Sequence, residues 1–320
     1  MTASTLNEGG FGYLLVHFVE DPHSHAEKIF YSLSVGDDPL TWRRLGDGPL
    51  LESTAGTTGV RDPHVVRGAD RFYLMATDLR VWRPEGPDWS AFRHRGSRDV
   101  VVWESPDLLG WSEPRYLTVA PEGAGMAWAP EAIYDPAADD YLLFWSSGLA
   151  SDGDPALGLT GDSRIMVART RDFVTIEEPS TYLELPGGVI DLTMLVTPSA
   201  VYRIAKHDDE APGSVRIFQQ RGTSVLASDF VTVAERVGHE IAPRLEGPLI
   251  FKHHHEDRWY LWLDRYATQA QGYLAFTTTD LDAGEWTPVE GLDLPPSTKH
   301  GVVLPLRRHE YEAIEARFRS

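Results

Sequence analysis

One strand pattern occurs five times along the chain, and this repeat constrains the fold more than any other feature. In each copy a short run rich in Tyr, Leu, Phe and Trp follows a polar turn. The runs are "GYLLVHF" (12–18), "RFYLMATD" (71–78), "DYLLFWSS" (140–147), "AVYRIAKH" (200–207) and "RWYLWLDR" (258–265). A further strand and a terminal strand-like segment follow each run. Repeats of about 40 to 70 residues, built from several short strands, are typical of a β-propeller. The sequence therefore predicts an all-β, five-bladed β-propeller.

The strand before each run would be the innermost strand of its blade. Four such strands occur in order, "RDPHVV", "APEAIYD", "IDLTMLV" and "EGPLIFK", and the first copy lacks one. Its counterpart is "KHGVVLPL" (299–306), near the other end of the chain. We expect the last blade to combine this C-terminal inner strand with N-terminal outer strands, which leaves no free sheet edge. Residues 1–320 would then form a single propeller domain; the alternative is two unrelated β-sandwiches.

Composition excludes several classes of function. The chain has 29 basic and 48 acidic residues, a formal charge of -19, which repels nucleic acid and anionic membrane surfaces. It has no cysteine, which removes disulfides, thiolate nucleophiles and cysteine-ligated zinc. No basic residue precedes Lys28, and no apolar run approaches the roughly 18 residues that span a bilayer. We expect a cytoplasmic location, although a trimmed secreted protein can also lack cysteine.

Charged residues stand near the start of every predicted inner strand. Each blade contributes one, and they are Asp62, Glu131, Asp191, Glu246 and His300. An unpaired buried carboxylate is costly, so such residues are poor core material. Their recurrence predicts that they gather at one mouth of the channel as a polar, functional pocket. Asp21 repeats the Asp-Pro-His triplet of Asp62 but is expected in an outer turn.

The five inner-strand motifs, "RDPHVV", "WAPEAIYD", "VIDLTML", "EGPLIFK" and "KHGVVLPL", resemble glycoside hydrolase family 43 over nearly the full length. Members are five-bladed propellers that cleave arabinose- and xylose-type sugars with inversion. The resemblance implies that Asp62 is the general base, Glu246 the general acid, and Asp191 the residue that tunes and orients the acid. Two departures are the long segment before "RDP" and Leu192, where small or proline residues are frequent.

This chemistry sets requirements on the carboxyl groups. Inversion needs an acid that protonates the leaving oxygen and, roughly 6.5 to 9.5 Å away, a base that activates water. A glutamate near its ordinary pKa of about 4.3 is ionised at neutral pH, so the pKa of the acid must be raised. We expect the negative charge of Asp191 to raise it. Asp191 could instead serve as a turn carboxylate.

Other residues near the motifs are candidates for substrate binding. Trp128 would stack on a sugar face or pack between blades. Glu131 would bind sugar hydroxyls or hold neighbouring strands together, and Arg61 would bind substrate or pair with a rim carboxylate. The resemblance also implies that His300 helps to hold a calcium or other cation in the channel; the alternative is a satisfied core histidine. No cofactor is expected for the chemistry itself.

The segment from residue 78 to 99 is too long and polar for a simple hairpin, and it would overhang the pocket as a lid or subsite wall. A wall favours exo action. The function expected from the sequence is therefore an inverting, exo-acting α-L-arabinofuranosidase whose partner is an oligosaccharide. The alternatives are a β-xylosidase, an exo-galactanase, a β-galactofuranosidase or a non-catalytic sugar-binding propeller.

Overall fold

The computed structural model describes residues 9–19, 27–148, 161–208, 216–266 and 272–319. The strands of the described residues form five antiparallel sheets of four strands each. The first seven strands are β1 (Gly10–Val19), β2 (Lys28–Val35), β3 (Asp38–Arg44), β4 (Val60–Arg67), β5 (Phe72–Asp78), β6 (Asp99–Ser105) and β7 (Arg115–Thr118). The next eight are β8 (Trp128–Asp135), β9 (Asp140–Gly148), β10 (Ser163–Thr170), β11 (Ser180–Leu183), β12 (Val189–Val196), β13 (Val201–His207), β14 (Ile217–Gly222) and β15 (Val231–Ala234).

The remaining elements complete the last two sheets and add two helices. The strands are β16 (Leu245–Lys252), β17 (Trp259–Arg265), β18 (Tyr273–Thr278), β19 (Thr287–Pro288) and β20 (Thr298–Arg307). The helices are α1 (Trp89–Arg95), between β5 and β6, and α2 (Arg308–Arg317), after β20. The sequence patterns did not predict either helix. In the described part of the chain, no helix has the length and apolar character that crossing a membrane requires.

The five sheets are blades that close into a ring. Blades one to four take their strands in chain order, with inner strands β4, β8, β12 and β16. Each inner strand contacts the next, and β20 contacts both β16 and β4. The fifth blade has the order β20-β1-β2-β3, so an inner strand from the C-terminal region joins three N-terminal strands. The predicted propeller and its mode of closure are both confirmed.

The tyrosine- and leucine-rich runs are the second strands of the blades. All seven residues of β5 and all nine of β9 are buried. They are buried on both faces because each blade packs against a blade on either side, which explains runs that are apolar throughout instead of alternating. Aromatic contacts join neighbouring blades: the rings of Trp42 and Trp262 lie 5.5 Å apart, and those of Tyr73 and Tyr141 lie 5.4 Å apart. Such edge-to-face pairs add about 0.5–1.5 kcal/mol beyond their buried area.

The closure of the ring depends on tight pairing of β1 with β20. Gly301 lies opposite His17 in this pairing, and its amide donates a hydrogen bond of 2.7 Å to the Tyr273 hydroxyl. A methyl group on Gly301 would lie 2.0 Å from the Val16 carbonyl oxygen. Only a residue without a side chain therefore fits at this point of the closing strand.

We expect Gly301→Ala to destabilise the protein by about 1–3 kcal/mol, because backbone must move to admit the methyl group. The measurement is the midpoint of thermal unfolding with its calorimetric enthalpy. Gly48→Ala is the matched control, since nothing lies within 4 Å of a methyl group there. Equal midpoints for the two variants would show that the closing strand tolerates the shift.

Candidate active site

The start of each inner strand is interrupted at the same place by a β-bulge. In β4, β8, β12 and β16 the pairing with the second strand skips two residues, which begin at Asp62, Ala129, Asp191 and Gly247. These four residues have φ angles of 49°, 47°, 56° and 50°. This left-handed conformation is tolerated best by glycine and by aspartate or asparagine. In β20 the pairing with β1 skips His300. Bulges redirect side chains, and here they turn the strand starts toward one mouth of the channel.

The bulges bring most of the predicted residues into one pocket. Its cavity has a volume of about 630 Å³. The lining residues are Arg61, Asp62, Leu79, Val81, Pro87, Trp89, Arg93, Trp128, Ile190, Asp191, Lys206, Arg244, Glu246, Tyr266, Lys299 and His300. In each of these four inner strands, the residue directly before the bulge lines the pocket; these residues are Arg61, Trp128, Ile190 and Glu246. Two of the bulges also contribute their own aspartate.

Glu131 does not reach this pocket, and the predicted ring of five charged residues is corrected accordingly. Glu131 follows its bulge by two positions, in the place that His64 has in β4. The two side chains lie together, with His64 Nδ1 3.7 Å from Glu131 Oε1. They line a separate small cavity between the inner strands. The prediction was wrong because the position of β8 equivalent to Asp62 is Ala129, where the bulge begins, two residues before Glu131. The Glu131 side chain instead lies against the neighbouring inner strand.

Asp62 is held in its ionised form by the groups around it. His300 Nδ1 lies 3.3 Å from Asp62 Oδ1, and the Thr77 hydroxyl donates to Oδ2 at 3.0 Å. Burial alone would raise the pKa of Asp62, but His300, Arg61 and Thr77 together bring it below the ordinary value. Thr77 in turn accepts a hydrogen bond of 2.8 Å from the amide of Ala129, which fixes its hydroxyl. A buried carboxylate of this kind is ready to accept a proton.

Asp191 and Glu246 form the second carboxyl centre. The amide of Gly247 donates to Asp191 Oδ2 at 3.1 Å, so the bulge after Glu246 ties the two strands together. A methyl group on Gly247 would lie 2.6 Å from the His300 ring, which requires glycine here. Burial raises the pKa of Asp191 to about 6; the cations of His300 and Lys206 oppose this rise, and the charges of Glu246 and Asp62 add to it.

The pKa of Glu246 shifts in the opposite direction to the one expected from the sequence. Lys206 Nζ donates to Glu246 Oε2 at 3.2 Å, and its side chain is only 2% exposed. Burial would raise the pKa of Glu246, but Lys206, with Lys299, Arg61 and His300, lowers it below the ordinary value. These cations therefore outweigh the rise that was expected from Asp191. The two carboxyls are coupled, and the pKa of Asp191 is raised while that of Glu246 is lowered.

A second buried ion pair supports the floor of the pocket. Lys299 Nζ lies 3.0 Å from both carboxylate oxygens of Asp264. The amide of His300 also donates to Asp264 Oδ2 at 3.0 Å. Burial raises the pKa of Asp264, and Lys299 opposes that rise. Asp264 on β17 thus positions two consecutive residues of β20, one of which is the partner of Asp62.

Arg61 lines the pocket and is also held from behind. Its guanidinium lies 3.9 Å from Glu27 Oε1 and 4.6 Å from the centre of the Phe18 ring. Glu27 accepts hydrogen bonds from the amide of Val81 at 3.2 and 3.3 Å. One of the two roles expected for Arg61 was to pair with a carboxylate at the rim, whereas it faces a buried carboxylate. The same carboxylate ties the segment after β5 to the pocket.

The segment that follows β5 forms one wall of the pocket, as expected for residues 78 to 99. Its helix α1 begins after Asp88, whose side chain accepts from the amide of Ala91 at 2.9 Å. Arg93 makes a bidentate ion pair with Asp208, with Nη2 2.7 Å from Oδ1. Arg93 also lies 5.3 Å from the centre of the Trp128 ring, and the ring of Trp89 meets that of Trp128 at 80°. The wall is therefore bound to blades two and three.

His300 is not arranged as a direct ligand of the hydrated cation expected there. Burial would lower the pKa of His300, but the hydrogen bond and charge of Asp62, with Asp191 and Asp264, raise it to about 9. An imidazolium offers no lone pair to a metal ion. Across the described ranges, no group of three His, Asp or Glu side chains is arranged to hold a metal ion. No step proposed below passes through a metal. Asp21 lies outside the described residues.

Family comparison agrees with this architecture. A family model described as a probable glycosyl hydrolase domain, of the glycosyl hydrolase 43-related group, matches residues 9–312. The chain belongs to this glycosyl hydrolase 43-related family. A curated α-L-arabinofuranosidase of Bifidobacterium longum subsp. longum is 32% identical over 212 residues, which are 62% of this chain and 20% of that protein. The chain therefore spans about a fifth of the length of this relative.

Solved structures share the fold. A thermostable family-43 glycoside hydrolase is 19% identical, with a TM-score of 0.53 over 76% of this chain and 77% of that chain. The catalytic domain of a Coprinopsis cinerea GH62 α-L-arabinofuranosidase is 17% identical, with a TM-score of 0.51 over 83% of this chain and 76% of that chain. A GH43 β-1,3-galactosidase with galactodeoxynojirimycin is 14% identical, with a TM-score of 0.50 over 75% of this chain and 80% of that chain. At these identities the likeness shows the fold alone.

Sequence reasoning missed several residues in the pocket of this family member. Lys206 is the last but one residue of β13, and Lys299 precedes His300 on β20. Arg244 and Tyr266 also line the cavity. A lysine within the predicted buried strand "AVYRIAKH" was the available signal for Lys206, because a buried lysine requires a charged partner. Nothing in the local pattern indicated that this partner is Glu246.

We expect Arg93→Met to speed amide hydrogen exchange in α1 by about tenfold, because it removes charge-assisted hydrogen bonds that anchor the helix. Exchange followed by mass spectrometry over residues 84 to 97 measures this. Arg95→Gln is the control, since this exposed residue of the same helix has no carboxylate partner within the described ranges. Unchanged exchange in Arg93→Met would mean that apolar packing of Phe92 alone holds the wall.

Proposed function

We propose that this chain is the catalytic domain of an inverting, exo-acting α-L-arabinofuranosidase that acts on arabinose-containing oligosaccharides. The observation that carries the proposal is the meeting of Asp62, Asp191 and Glu246 in one pocket of about 630 Å³. The family supports glycoside hydrolysis, and the curated relative from Bifidobacterium longum supports the choice of sugar. The cytoplasmic location expected from the sequence stays a prediction.

Asp62 acts as the general base in this proposal. It belongs to blade one and Glu246 to blade four, so the two carboxyls approach the pocket from blades that are not neighbours. The lowered pKa of Asp62 keeps it ionised, as a residue that takes a proton from water must be. His300 and Thr77 hold its two oxygens and so aim the carboxylate.

Glu246 acts as the general acid, and Asp191 supplies the proton reservoir beside it. The pair binds one proton below about pH 6, which resides on Asp191 while Lys206 neutralises Glu246. A substrate hydroxyl that accepts a hydrogen bond from Lys206 would weaken the hold of Lys206 on Glu246. The shared proton then passes to Glu246 and from there to the leaving oxygen.

The wall of the pocket supports exo action. Segment 79–97 closes one side of the cavity, and Trp89 at its rim is 46% exposed. Trp128, beneath it, is almost fully buried and presents only a small part of its ring. In this proposal Trp128 shapes the floor under the terminal sugar, and Trp89 is the stacking platform for the next residue of the oligosaccharide.

We expect Asp62→Asn and Glu246→Gln to differ in their dependence on the leaving group. Asp62→Asn should lose about 10²–10⁴-fold in kcat/KM on every substrate, because water is no longer activated. Glu246→Gln should lose a similar factor on natural oligosaccharides but little on aryl glycosides whose phenol needs no protonation. Parallel kinetics on both substrate types measure this, with the thermal midpoint of each variant as the folding control. Equal losses on both types in Glu246→Gln would refute its role as the acid.

We expect α-L-arabinofuranosides to be hydrolysed faster than β-D-xylosides, β-D-galactosides and β-D-galactofuranosides. Proton NMR of the first product formed should show β-arabinofuranose, because a single displacement inverts the anomeric centre. Preferential cleavage of another glycoside would support glycosidase activity but would change the assigned sugar. Cleavage of none of these glycosides, nor of arabinose-containing oligosaccharides, would favour a non-catalytic sugar-binding propeller.

We expect Lys206→Met to move the alkaline limb of the pH profile of kcat/KM upward by roughly 1 to 3 pH units. Activity requires a proton on the Asp191–Glu246 pair, so activity falls as pH rises through the pKa of that pair, and Lys206 lowers the pKa of both members. Lys206→Arg keeps the charge and should leave the limb near its original position. An unmoved limb in Lys206→Met would show that Lys206 does not control this proton.

A further inference from the structure

Segment 79–97 has a second cavity on the side opposite the active site. Its volume is about 540 Å³. Its lining includes Leu79, Arg80, Trp82, Arg83, Phe92 and Arg95. We call it the arginine cavity, after Arg80, Arg83 and Arg95. It takes no part in the function proposed above.

The segment behaves as a two-sided wall. Leu79 and Val81 line the active-site pocket, whereas Arg80 and Trp82 line the arginine cavity, as alternation in extended chain requires. Helix α1 is divided in the same way. Trp89 and Arg93, four residues apart, line the active-site pocket, and Phe92 and Arg95 line the other side. Leu79 lines both cavities, so they are separated by a single layer of chain.

The charge of the arginine cavity is unusual for this protein. The chain carries a net charge of -19, yet three arginines and only one carboxylate, Glu85, line this cavity. Within the described ranges, none of the three arginines forms an ion pair with a carboxylate. Arg80 donates to the Thr58 hydroxyl at 3.0 Å, and Arg83 lies 4.7 Å from the centre of the Phe92 ring. Uncompensated positive charges around a cavity attract an anion.

Arg80 adds an unsatisfied donor beside this cavity. Its Nε is buried and has no hydrogen-bond partner among the described residues. A guanidinium presents its donors as a planar fork that matches a carboxylate. The ring of Trp82 lies 6.0 Å from the Arg80 guanidinium and adds an apolar surface of the kind on which sugar rings stack. The guanidinium forks of Arg83 and Arg95, together with this ring, fit a sugar that carries a carboxylate.

We propose that the arginine cavity is an accessory site for an acidic sugar, a uronic acid residue of an oligosaccharide. The carboxylate is bound by Arg83 and Arg95, with Arg80 behind them, and the sugar ring lies against Trp82. Because only one layer of chain separates this cavity from the active site, an occupant contacts the same wall that shapes the pocket. The proposal concerns binding and does not depend on which glycoside the enzyme cleaves.

The test is isothermal titration of glucuronosyl xylotriose into the Asp62→Asn variant, with neutral xylotriose and inorganic sulfate titrated separately. We expect the acidic sugar to bind measurably and more tightly than either of the other two. Arg83→Gln combined with Arg95→Gln should weaken that binding by up to about 25-fold, since each exposed charge contact contributes up to about a factor of five. The double variant Arg83→Lys with Arg95→Lys keeps both positive charges but loses the planar guanidinium groups. Its affinity for the acidic sugar should lie between those of the parent and of the glutamine double variant.

Arg171→Gln is the matched control, because it removes an exposed arginine on the rim of a different surface cavity. It should leave the binding of the acidic sugar unchanged. Equal binding of neutral xylotriose, no binding of the acidic sugar, or binding that survives the double arginine change would each overturn the proposal. Sulfate binding as tight as the acidic sugar would overturn the assignment to a sugar. Turnover is not measured, so failure of the arabinofuranosidase proposal is a separate result.

Discussion

The site depends on the bulge that interrupts the inner strands where they enter the channel. A regular strand would send alternate side chains into neighbouring blades, where a carboxylate has no solvent and no partner. The bulge at Asp62 and Asp191 places these side chains in the pocket instead, at the cost of a left-handed backbone conformation. Such strained positions persist only where the surrounding structure determines them. Here the pairing of each inner strand with the second strand of its blade, which continues before and after the bulge, does so.

Charge balance is the second condition that makes the site possible. Asp191 and Asp264 are buried carboxylates at or near the channel mouth, and Asp62 and Glu246 are partly buried there. Their cationic neighbours are Arg61, Lys206, Lys299 and His300. Each carboxylate is close to at least one cation, but the cations are not distributed evenly. The cations lower the pKa values of Asp62 and Glu246, whereas burial outweighs the cations at Asp191 and raises its pKa. Uneven pairing of this kind separates the pKa values of chemically similar groups, as acid-base catalysis requires.

The segment between β5 and β6 is not part of the repeated blade strands, and it lines two cavities. The blades supply the carboxyl groups from equivalent positions, while segment 79–97 supplies Trp89 and Arg93 to one cavity and three arginines to the other. Loops that a rigid scaffold positions commonly carry specificity. The anchoring of this wall through Glu27 and Asp208 links both cavities to the ring of blades.

The sequence by itself determined the five blades, the closing of the ring by β20, and the three carboxyl residues that meet in the pocket. These features could be predicted because strand periodicity and repeated motifs are local properties of the sequence. Only the tertiary structure decided that Glu131 lies apart from the pocket, since one bulge changes the direction of every following side chain. It also decided that Lys206 lowers the pKa of Glu246, against the expected effect of Asp191. That balance sums charges and burial from several blades, and no pattern along one strand contains those distances.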